Sequence, residues 1–287
     1  MPAPALVRSR SVVFERPAAA GLFVACKAML FPELRGRIVL VTGASRRSGI
    51  GAAICRAFAG QGCDVFFTVH KTFDTAGYGG AQADPEGPPA LAEELRARGV
   101  RAGFMEVDLG HPEAPGLVLK IARTQLGSPS VLVNNAAHSA RDGFENLTVE
   151  SLDRHYAVNL RATAMLAVEF GRAYDRTHAG RIVNLTSGQD LTPLPGELAY
   201  AASKGAVSAF TRSLAKELTA KGITVNAVDP GPTDTGWMTD EVKASLKVQS
   251  GFGRLGTPED AARLIVFLAS DAAHWITGQV IHSRADL

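Results

Sequence analysis

The stretch that decides the fold is Ile-Val-Leu-Val-Thr-Gly-Ala-Ser-Arg-Arg-Ser-Gly-Ile-Gly at residues 38–51. An apolar, β-branched run leads directly into a glycine-rich loop, and an alanine-rich helical pattern follows. In this context Gly43 permits a tight turn, while Gly49 and Gly51 let the backbone approach a pyrophosphate. The start of the helix adds free N–H groups and a positive dipole end. A plain glycine-rich turn is the alternative interpretation of the loop taken alone.

Outward from this motif, short apolar runs alternate with longer amphipathic ones, which is typical of βαβ units. We predict strands at 37–42, 64–69, 102–107, 130–134, 181–187, 223–229 and 279–282. The pattern indicates an α/β fold, a single Rossmann-type domain over 34–287 with a doubly wound parallel sheet of about seven strands flanked by helices. Residues 72–89 hold several Gly and Pro and are predicted to form an exposed loop.

The composition of the 287 residues limits the classes of partner. Formal charge is +2, without a basic run, so we expect no nucleic-acid partner. The apolar runs are too short for a membrane span, so we expect no membrane association and a small-molecule substrate. The cysteines Cys26, Cys55 and Cys63 have no C-x-x-C spacing, and the seven histidines form no H-E-x-x-H motif. We therefore expect no metal and a reducing, cytoplasmic location.

Residues 1–33 form an N-terminal extension. Arg8, Arg10, Arg16 and Lys27 face one acid, Glu15, in a pattern that weakly resembles a targeting sequence. The preferred interpretations are a peripheral surface arm or a start assigned too early, with Met29 as the true beginning.

The end of the second predicted strand indicates which cofactor the glycine loop binds. Sites that prefer NAD carry an acid there for the ribose hydroxyls. Here the chain has Val69-His70-Lys71, and the loop itself adds Arg46 and Arg47. These cations suit a 2′-phosphate, so we predict a preference for NADP(H), with NAD(H) still possible. Solvated surface charges are the alternative interpretation.

A second motif, Tyr200-Ala-Ala-Ser-Lys204, lies in a helical stretch. Residues at i and i+4 share one helix face, so the two side chains lie close together. A phenol has a reference pKa of about 10, and a nearby ammonium favours its ionised form. Ser187 ends a buried strand upstream and could donate a hydrogen bond to a substrate carbonyl. Together these residues suit proton transfer.

The ordered set of motifs resembles the short-chain dehydrogenase/reductase family, including its 3-oxoacyl-(acyl-carrier-protein) reductases. The resemblance covers residues from 34 to about 279. It is carried by the glycine loop, Asp108, Asn134-Asn135-Ala136-Ala137, Asn159, Ser187, Tyr200 with Lys204, and Pro230-Gly231 followed by Thr233 and Thr235.

The resemblance implies that Tyr200 is the general acid or base and that Ser187 orients the substrate oxygen. It implies that Lys204 lowers the tyrosine pKa and binds the nicotinamide ribose, and that Asn159 holds a water of the proton relay. The residues implied to bind the cofactor are Gly43, Ser45, Arg46, Arg47, Gly49, Ile50, Gly51, His70, Lys71, Asp108, Leu109, Asn135, Ala136, Tyr200, Lys204, Pro230, Gly231, Thr233 and Thr235.

Substrate identity stays open. We predict a pocket that includes His138, Gln189, Glu197 and Trp237. Reduction of a ketone with NADPH, in the manner of a 3-oxoacyl reductase, is the leading interpretation. A sugar, polyol or metabolite alcohol dehydrogenase and a non-catalytic cofactor-sensing protein are the alternatives.

The family resemblance also implies a homodimer or homotetramer formed through the long helices at 148–174 and 200–221. Two features depart from the family pattern: the glycine loop is two residues longer than usual, and the last residues lack the common Gly-Gly.

Overall fold

The computed structural model describes residues 30–70, 84 and 86–285. Its seven strands are β1 (Ile38–Val41), β2 (Asp64–Val69), β3 (Ala102–Glu106), β4 (Val131–Asn134), β5 (Gly180–Leu185), β6 (Ile223–Asp229) and β7 (Val280–His282). They form one sheet in the order β3-β2-β1-β4-β5-β6-β7, and every neighbouring pair is parallel. The predicted doubly wound parallel sheet is confirmed.

Helices connect the strands. They are α1 (Ile50–Gly60), α2 (Gly87–Ala97), α3 (Ala114–Gln125), α4 (149–173), α5 (Leu198–Leu218), α6 (Asp240–Gln249) and α7 (Pro258–Ala269). Helix α4 has three parts: α-helical Val149–His155, π-helical Tyr156–Ala162 and α-helical Thr163–Ala173. The π-helical part holds Asn159 and lies where the helix passes the candidate site.

Both faces of the sheet are buried under helices. Val39 and Val41 of β1 pack with residues of α1, α2 and α7, whereas Leu40 packs on the other face with α3, α4 and α5. The same alternation holds along the central strands, so each strand needs apolar side chains on both faces. This explains why the strands read as continuous apolar runs.

The strand order reverses between β1 and β4, which are hydrogen-bonded neighbours. Connections leave these two strands in opposite directions, which opens a crevice at their carboxyl ends. The loops that follow β1, β4, β5 and β6 surround this edge of the sheet, and they carry most of the predicted site residues.

Several boundaries differ from the prediction. Helix α5 starts at Leu198, two residues before Tyr200, and a 3₁₀ turn follows it at Thr219–Lys221. Helix α2 begins at Gly87, inside the stretch predicted as a loop, because a proline fits the first turn of a helix. Helix α6 is absent from the sequence-based prediction.

Some predictions fall on parts of the chain that the structure leaves out. Residues 1–29 with Cys26, Lys71, and most of the predicted loop lie outside the described residues. Of the helices in the described part, none has both the length and the hydrophobicity that crossing a bilayer requires.

Candidate active site

The glycine loop packs against the loop that follows β4. Gly43 has a backbone φ of +75°, and a Cβ atom there would lie 2.7 Å from the Cα atom of Ala136. A Cβ atom on Gly51 would collide with the carbonyl oxygen of Gly43. Both positions therefore require glycine, the first for its conformation and both for space.

Side chains of the two loops hold this contact together. The Thr42 hydroxyl oxygen accepts the N–H groups of Asn135 and Ala136, each at 3.0 Å. The Asn135 amide nitrogen donates to the carbonyls of Thr42 and Gly43, each at 2.8 Å. Asn135, predicted to bind cofactor, thus uses both amide hydrogens to brace the glycine loop.

Helix α1 begins beside this loop with Gly49 at its N-cap, a residue that has no side chain to cap the first N–H groups. Such a helix start favours an anion. A cavity of about 220 Å³ lies in front of it. Predicted cofactor residues line this cavity: Gly43, Ser45, Arg46, Gly49, Ile50, Gly51, His70, Asp108, Leu109, Asn135, Ala136 and Thr235. The close-packed glycines, the helix start and the cavity fit the pyrophosphate and adenosine of a dinucleotide.

The two loop arginines point in different directions. Arg46 lines the cavity and places one guanidinium nitrogen 3.4 Å from the Thr235 carbonyl oxygen. Arg47 instead forms a two-pronged ion pair with Asp84, at 2.9 Å and 3.3 Å. Its hydrogen bonds hold the pKa of Asp84 below the usual range. The geometry therefore separates two residues that the sequence presents as equivalent.

His70 and Ser45 join the end of β2 to the glycine loop. The His70 N–H donates to the Ser45 hydroxyl oxygen at 3.0 Å, and both residues line the cavity. The Ser45 side chain thus orders the loop through a contact with the chain beyond β2.

Asp108, after β3, is paired with Arg154 of α4 by two hydrogen bonds of 2.9 and 3.0 Å. Partial burial alone would raise the pKa of Asp108, but the hydrogen bonds from Arg154 and from the Gly110 N–H hold it below its usual range. Arg154 also lines the cavity. Arg154 is not among the predicted site residues, because a single arginine on a helix gives no sign in the sequence of the face it occupies.

Tyr200 and Lys204 lie in the first half of α5, and the Lys204 ammonium nitrogen is 5.6 Å from the centre of the Tyr200 ring. Lys204 is buried and donates to the carbonyl of Leu185, the last residue of β5, at 2.8 Å. Burial lowers the pKa of Lys204 to about 8, and the Asp229 carboxylate opposes this decrease. A cation is thus held beside the phenol at the end of β5.

Ser187 lies two residues beyond β5 and is partly buried. Its neighbours fix it to α5: the Thr186 hydroxyl donates to the Lys204 carbonyl at 3.1 Å, and the Gln189 amide donates to the Ser208 hydroxyl at 3.3 Å. The serine therefore follows a strand end that is tied directly to the helix of Tyr200. Thr186 was not predicted, although its place before Ser187 was a possible signal.

Asn159 joins three parts of the site. Its carbonyl oxygen accepts the His138 N–H at 2.7 Å, and its amide donates to the His138 carbonyl and to the Ser203 hydroxyl, each at 2.9 Å. Ser203 in turn donates to the Tyr200 carbonyl at 2.8 Å. Among the described contacts, one lone pair of the side-chain oxygen is left for a water.

The turn after β6 is held by a buried acid that the sequence analysis did not single out. Asp229 accepts the Gly231 N–H at 2.9 Å through one oxygen. Its other oxygen lies 3.0 Å from His282 Nδ1 and 3.2 Å from an Arg284 guanidinium nitrogen. Pro230 and Gly231 are therefore fixed between β6 and the segment after β7.

Thr233 and Thr235 continue this turn toward the cavity. The Thr233 hydroxyl donates to the Pro230 carbonyl at 3.1 Å, and the Trp237 indole donates to the Thr233 carbonyl at 3.2 Å. Thr235 lines the cavity beside Arg46. The predicted cofactor residues after β6 thus belong to one hydrogen-bonded unit.

The four predicted substrate residues occupy different environments. His138 lines the cavity in front of α1 and packs edge-on against His155, with 4.6 Å between the ring centres. Its pKa is lowered to about 4, mainly by burial. Gln189 is tied to α5, Glu197 directly precedes that helix, and the Trp237 side chain is about 40% exposed.

In the described part of the chain, no three His, Cys, Asp or Glu side chains are grouped so that they could hold a metal ion.

A family model described as enoyl-(acyl carrier protein) reductase matches residues 43–284. The uncharacterised oxidoreductase YjdA of Bacillus subtilis is 53% identical over 250 residues, which is 86% of this chain and 95% of YjdA. The chain is a short-chain dehydrogenase/reductase.

Other members of the family carry more specific names. The 3-oxoacyl-(acyl-carrier-protein) reductase FabG of Aquifex aeolicus is 34% identical over 87% of this chain and 96% of its own length. The probable galactose dehydrogenase GalD of Rhizobium meliloti is 36% identical over 88% of this chain and 94% of its own.

A solved structure supports the same assignment. The short-chain dehydrogenase of Burkholderia cenocepacia, solved in complex with NADP, has a TM-score of 0.78 and 30% identity, and covers 89% of this chain and 100% of its own. The predicted oxidoreductase class of this short-chain dehydrogenase/reductase is confirmed.

Proposed function

We propose that this short-chain dehydrogenase/reductase interconverts a ketone and a secondary alcohol with NADP(H), and that it works in the direction of reduction. The observation that carries the proposal is the arrangement around α5. Tyr200 and the buried ammonium of Lys204 lie together on this helix, and hydrogen bonds from the helix to Leu185 and Thr186 tie it to the chain that leads to Ser187. The cavity beside the glycine loop supplies a place for a dinucleotide.

The bound nicotinamide would supply the hydride. In the proposed reaction the Tyr200 hydroxyl gives its proton to the substrate oxygen, and the Ser187 hydroxyl donates a hydrogen bond to the same oxygen. The Lys204 ammonium stabilises the negative charge that the phenol gains when it loses its proton. In the direction of oxidation the same groups act in reverse, with Tyr200 as the base.

The preference for NADP(H) is supported by charge. Arg46 lines the cavity, and the residue that follows β2 is His70 rather than an acid. A guanidinium forms strong hydrogen bonds with a phosphate. The B. cenocepacia relative was solved with NADP.

A 3-oxoacyl thioester is the proposed type of substrate because several relatives, including the A. aeolicus protein, are named 3-oxoacyl-(acyl-carrier-protein) reductase. Oxidation of a sugar, polyol or other metabolite alcohol is the second candidate, favoured by the relative named as a probable galactose dehydrogenase. The catalytic geometry serves both directions equally, so substrate trials have to decide between them.

We also propose a cytoplasmic homodimer or homotetramer. Helix α4 exposes a row of apolar side chains one turn apart: Val149 and Leu152 near its start, followed by Tyr156, which is 51% exposed. Exposed apolar patches of this kind mark contacts between subunits. Cys55 and Cys63 are buried free thiols, which suits a reducing compartment.

The test is a screen of ketones, 3-oxoacyl thioesters, sugars and polyols with NADPH and NADP, followed by the Tyr200→Phe variant. This variant should bind NADPH with nearly the wild-type Kd in a fluorescence titration and lose about 100-fold or more of its turnover. Turnover close to the wild-type value would overturn the assigned role of Tyr200. A screen without any turnover would favour the cofactor-sensing alternative.

A further inference from the structure

The segment after β4 runs along α4 and is attached to it at regular intervals. The His138 backbone is bonded to the Asn159 side chain, the Ala140 N–H donates to His155 Nε2 at 3.3 Å, and the Asp142 carboxylate accepts the Ser151 hydroxyl at 3.4 Å. Each step of two residues in the segment therefore matches a step of four residues in the helix.

This regularity has a geometric cause. Between Ser151 and His155, where α4 is α-helical, four residues rise about 6 Å, and two residues of extended chain span about 6.6 Å. Residues 140–142 must therefore be nearly extended where they run along this part of α4. One end of the segment, His138, is bonded to Asn159 of α4, whose amide also donates to Ser203 of α5. The other end, Asp142, is bonded to α5 directly.

Asp142 forms the second attachment. Its carboxylate accepts the N–H of Leu198 at 2.6 Å and that of Ala199 at 3.3 Å. Its own N–H donates to the Gly196 carbonyl at 2.9 Å, and the residue is only 4% exposed. Leu198 and Ala199 are the first two residues of α5, and the residue at the N-cap, Glu197, makes no capping hydrogen bond through its side chain. Asp142 therefore caps α5 from 56 residues away in the sequence.

Tyr200 is the third residue of α5 and follows directly after the two capped amides. From the other end of the segment, Asn159 reaches the same turn through Ser203, which donates to the Tyr200 carbonyl. Residues 138–142 thus form a strap that holds the first turn of α5 at two points, directly through Asp142 and indirectly through Asn159 and Ser203. We propose that Asp142 is a positioning residue that fixes Tyr200 relative to Ser187 and the bound substrate. The inference rests on the function proposed above.

Three substitutions separate the capping role of Asp142 from its charge. Asp142→Asn keeps an oxygen acceptor at the same place, and Asn caps helices about as well as Asp. Asp142→Glu keeps the charge but moves it by one methylene, and Asp142→Ala removes the acceptor. We expect kcat to fall about 10- to 100-fold in the Ala variant, since small displacements of a catalytic group have effects of this size. The Glu variant should lose part of kcat, and the Asn variant should stay within about threefold of the wild type. KM for NADPH should change little in all three.

Asp64→Ala is the matched control. Asp64 is 2% exposed and accepts the Arg101 N–H at 2.7 Å, but it starts β2 at the opposite edge of the sheet. This variant should lose stability in denaturant unfolding and keep its kcat. A fall of kcat equal to that of Asp142→Ala would show that loss of stability alone explains the effect, and would overturn the positioning role.

Hydrogen exchange of the peptide 197–204 gives a readout that needs no substrate. Exchange should become faster in Asp142→Ala and stay near the wild-type rate in Asp142→Asn and Asp64→Ala. Unchanged exchange in the Ala variant would overturn the cap, and faster exchange with a wild-type kcat would overturn the link to Tyr200. If Asp142→Ala does not fold, Asp142→Glu replaces it in the measurements of both kcat and hydrogen exchange. A failure of the proposed function would instead appear as turnover that survives Tyr200→Phe. The hydrogen-exchange result does not depend on turnover, so the two failures can be distinguished.

Discussion

Arg46 and Arg47 are chemically identical neighbours, yet only Arg46 lines the cofactor cavity, while Arg47 is paired with Asp84. We therefore expect Arg46→Ala to raise KM for NADPH about tenfold or more and to leave KM for NADH nearly unchanged. The reason is the loss of a charge-assisted hydrogen bond, which contributes about 1.5–3 kcal/mol. Arg47→Ala is the matched control and should have the smaller effect. The measurement is steady-state kinetics with both cofactors, and an equal or larger effect of Arg47→Ala would contradict the assignment.

Lys204 provides a prediction about pH at the same scale. Burial lowers its pKa to about 8, and the Asp229 carboxylate acts in the opposite direction. In the free enzyme the ammonium should therefore lose its proton near pH 8, and kcat/KM for reduction should fall as the pH rises through this value. Asp229→Asn removes the carboxylate that favours the ammonium, so the fall should move to lower pH. A pH profile of kcat/KM checks this prediction, and an unchanged or higher midpoint in the variant would refute it.

Individual residues show how far the sequence alone could go. The proximity of Tyr200 and Lys204 could be predicted because a helix brings residues at i and i+4 together, and this depends only on local geometry. The direction of Arg47, the bracing role of Asn135 and the burial of Asp229 depend on partners far away in the chain. Such contacts leave no periodic pattern in the sequence, so they could not be predicted.

Among the secondary-structure elements, helix α7 has a reciprocal cap at its start. Asp260 accepts the Thr257 N–H at 2.9 Å and pairs with Arg254 at 2.6 Å. The hydrogen bonds from Arg254, with a smaller contribution from Thr257, hold the pKa of Asp260 far below its usual range despite some burial. A lowered pKa in the folded state stabilises the protein above the unfolded-state pKa of about 3.9, and this contribution is lost as the pH falls.

Asp260→Asn keeps an oxygen acceptor but removes the charge that pairs with Arg254, so we expect it to lower the free energy of unfolding at pH 7 by about 0.5–1 kcal/mol. The difference from the wild type should shrink as the pH is lowered toward 3. Urea unfolding at several pH values measures it. Glu259→Gln, which removes an exposed charge from the same turn of α7, is the control and should have little effect. A difference that does not change with pH would show that the carboxylate charge plays no part.

The order and type of the elements were largely predictable, since buried parallel strands and amphipathic helices have distinct periods. Their ends were not. Helix α5 begins two residues before Tyr200 because Asp142, remote in sequence, supplies the acceptor for its first amides. The π-helical part of α4 has no sequence signal either, because its residues would equally suit an α-helix.

The whole molecule is predicted to assemble through α4. Light scattering coupled to size-exclusion chromatography should give a mass of two or four times the 30.2 kDa of the chain. A Leu152→Lys, Tyr156→Lys double variant should shift the mass toward one chain, because it places charges on the exposed apolar row of α4. Val248→Lys, at an apolar residue of α6 that is 87% exposed, is the control and should leave the mass unchanged. A monomeric wild type would refute the prediction.

The π-helical stretch Tyr156–Ala162 also has a consequence for how this protein can change through insertion and deletion. A π-helical turn accommodates one residue more than the α-helical hydrogen-bond pattern allows. Deleting a single residue there, such as Ala157, would remove the additional residue and let α4 become regular, so the side chains that remain in this stretch would point in new directions around the helix axis. Asn159 lies in this stretch, so its contacts with His138 and Ser203 would be displaced, although every residue named in the site would still be present. The number of residues between Ser151, which contacts Asp142, and Asn159, which contacts His138, is therefore as important for the site as the identity of these residues.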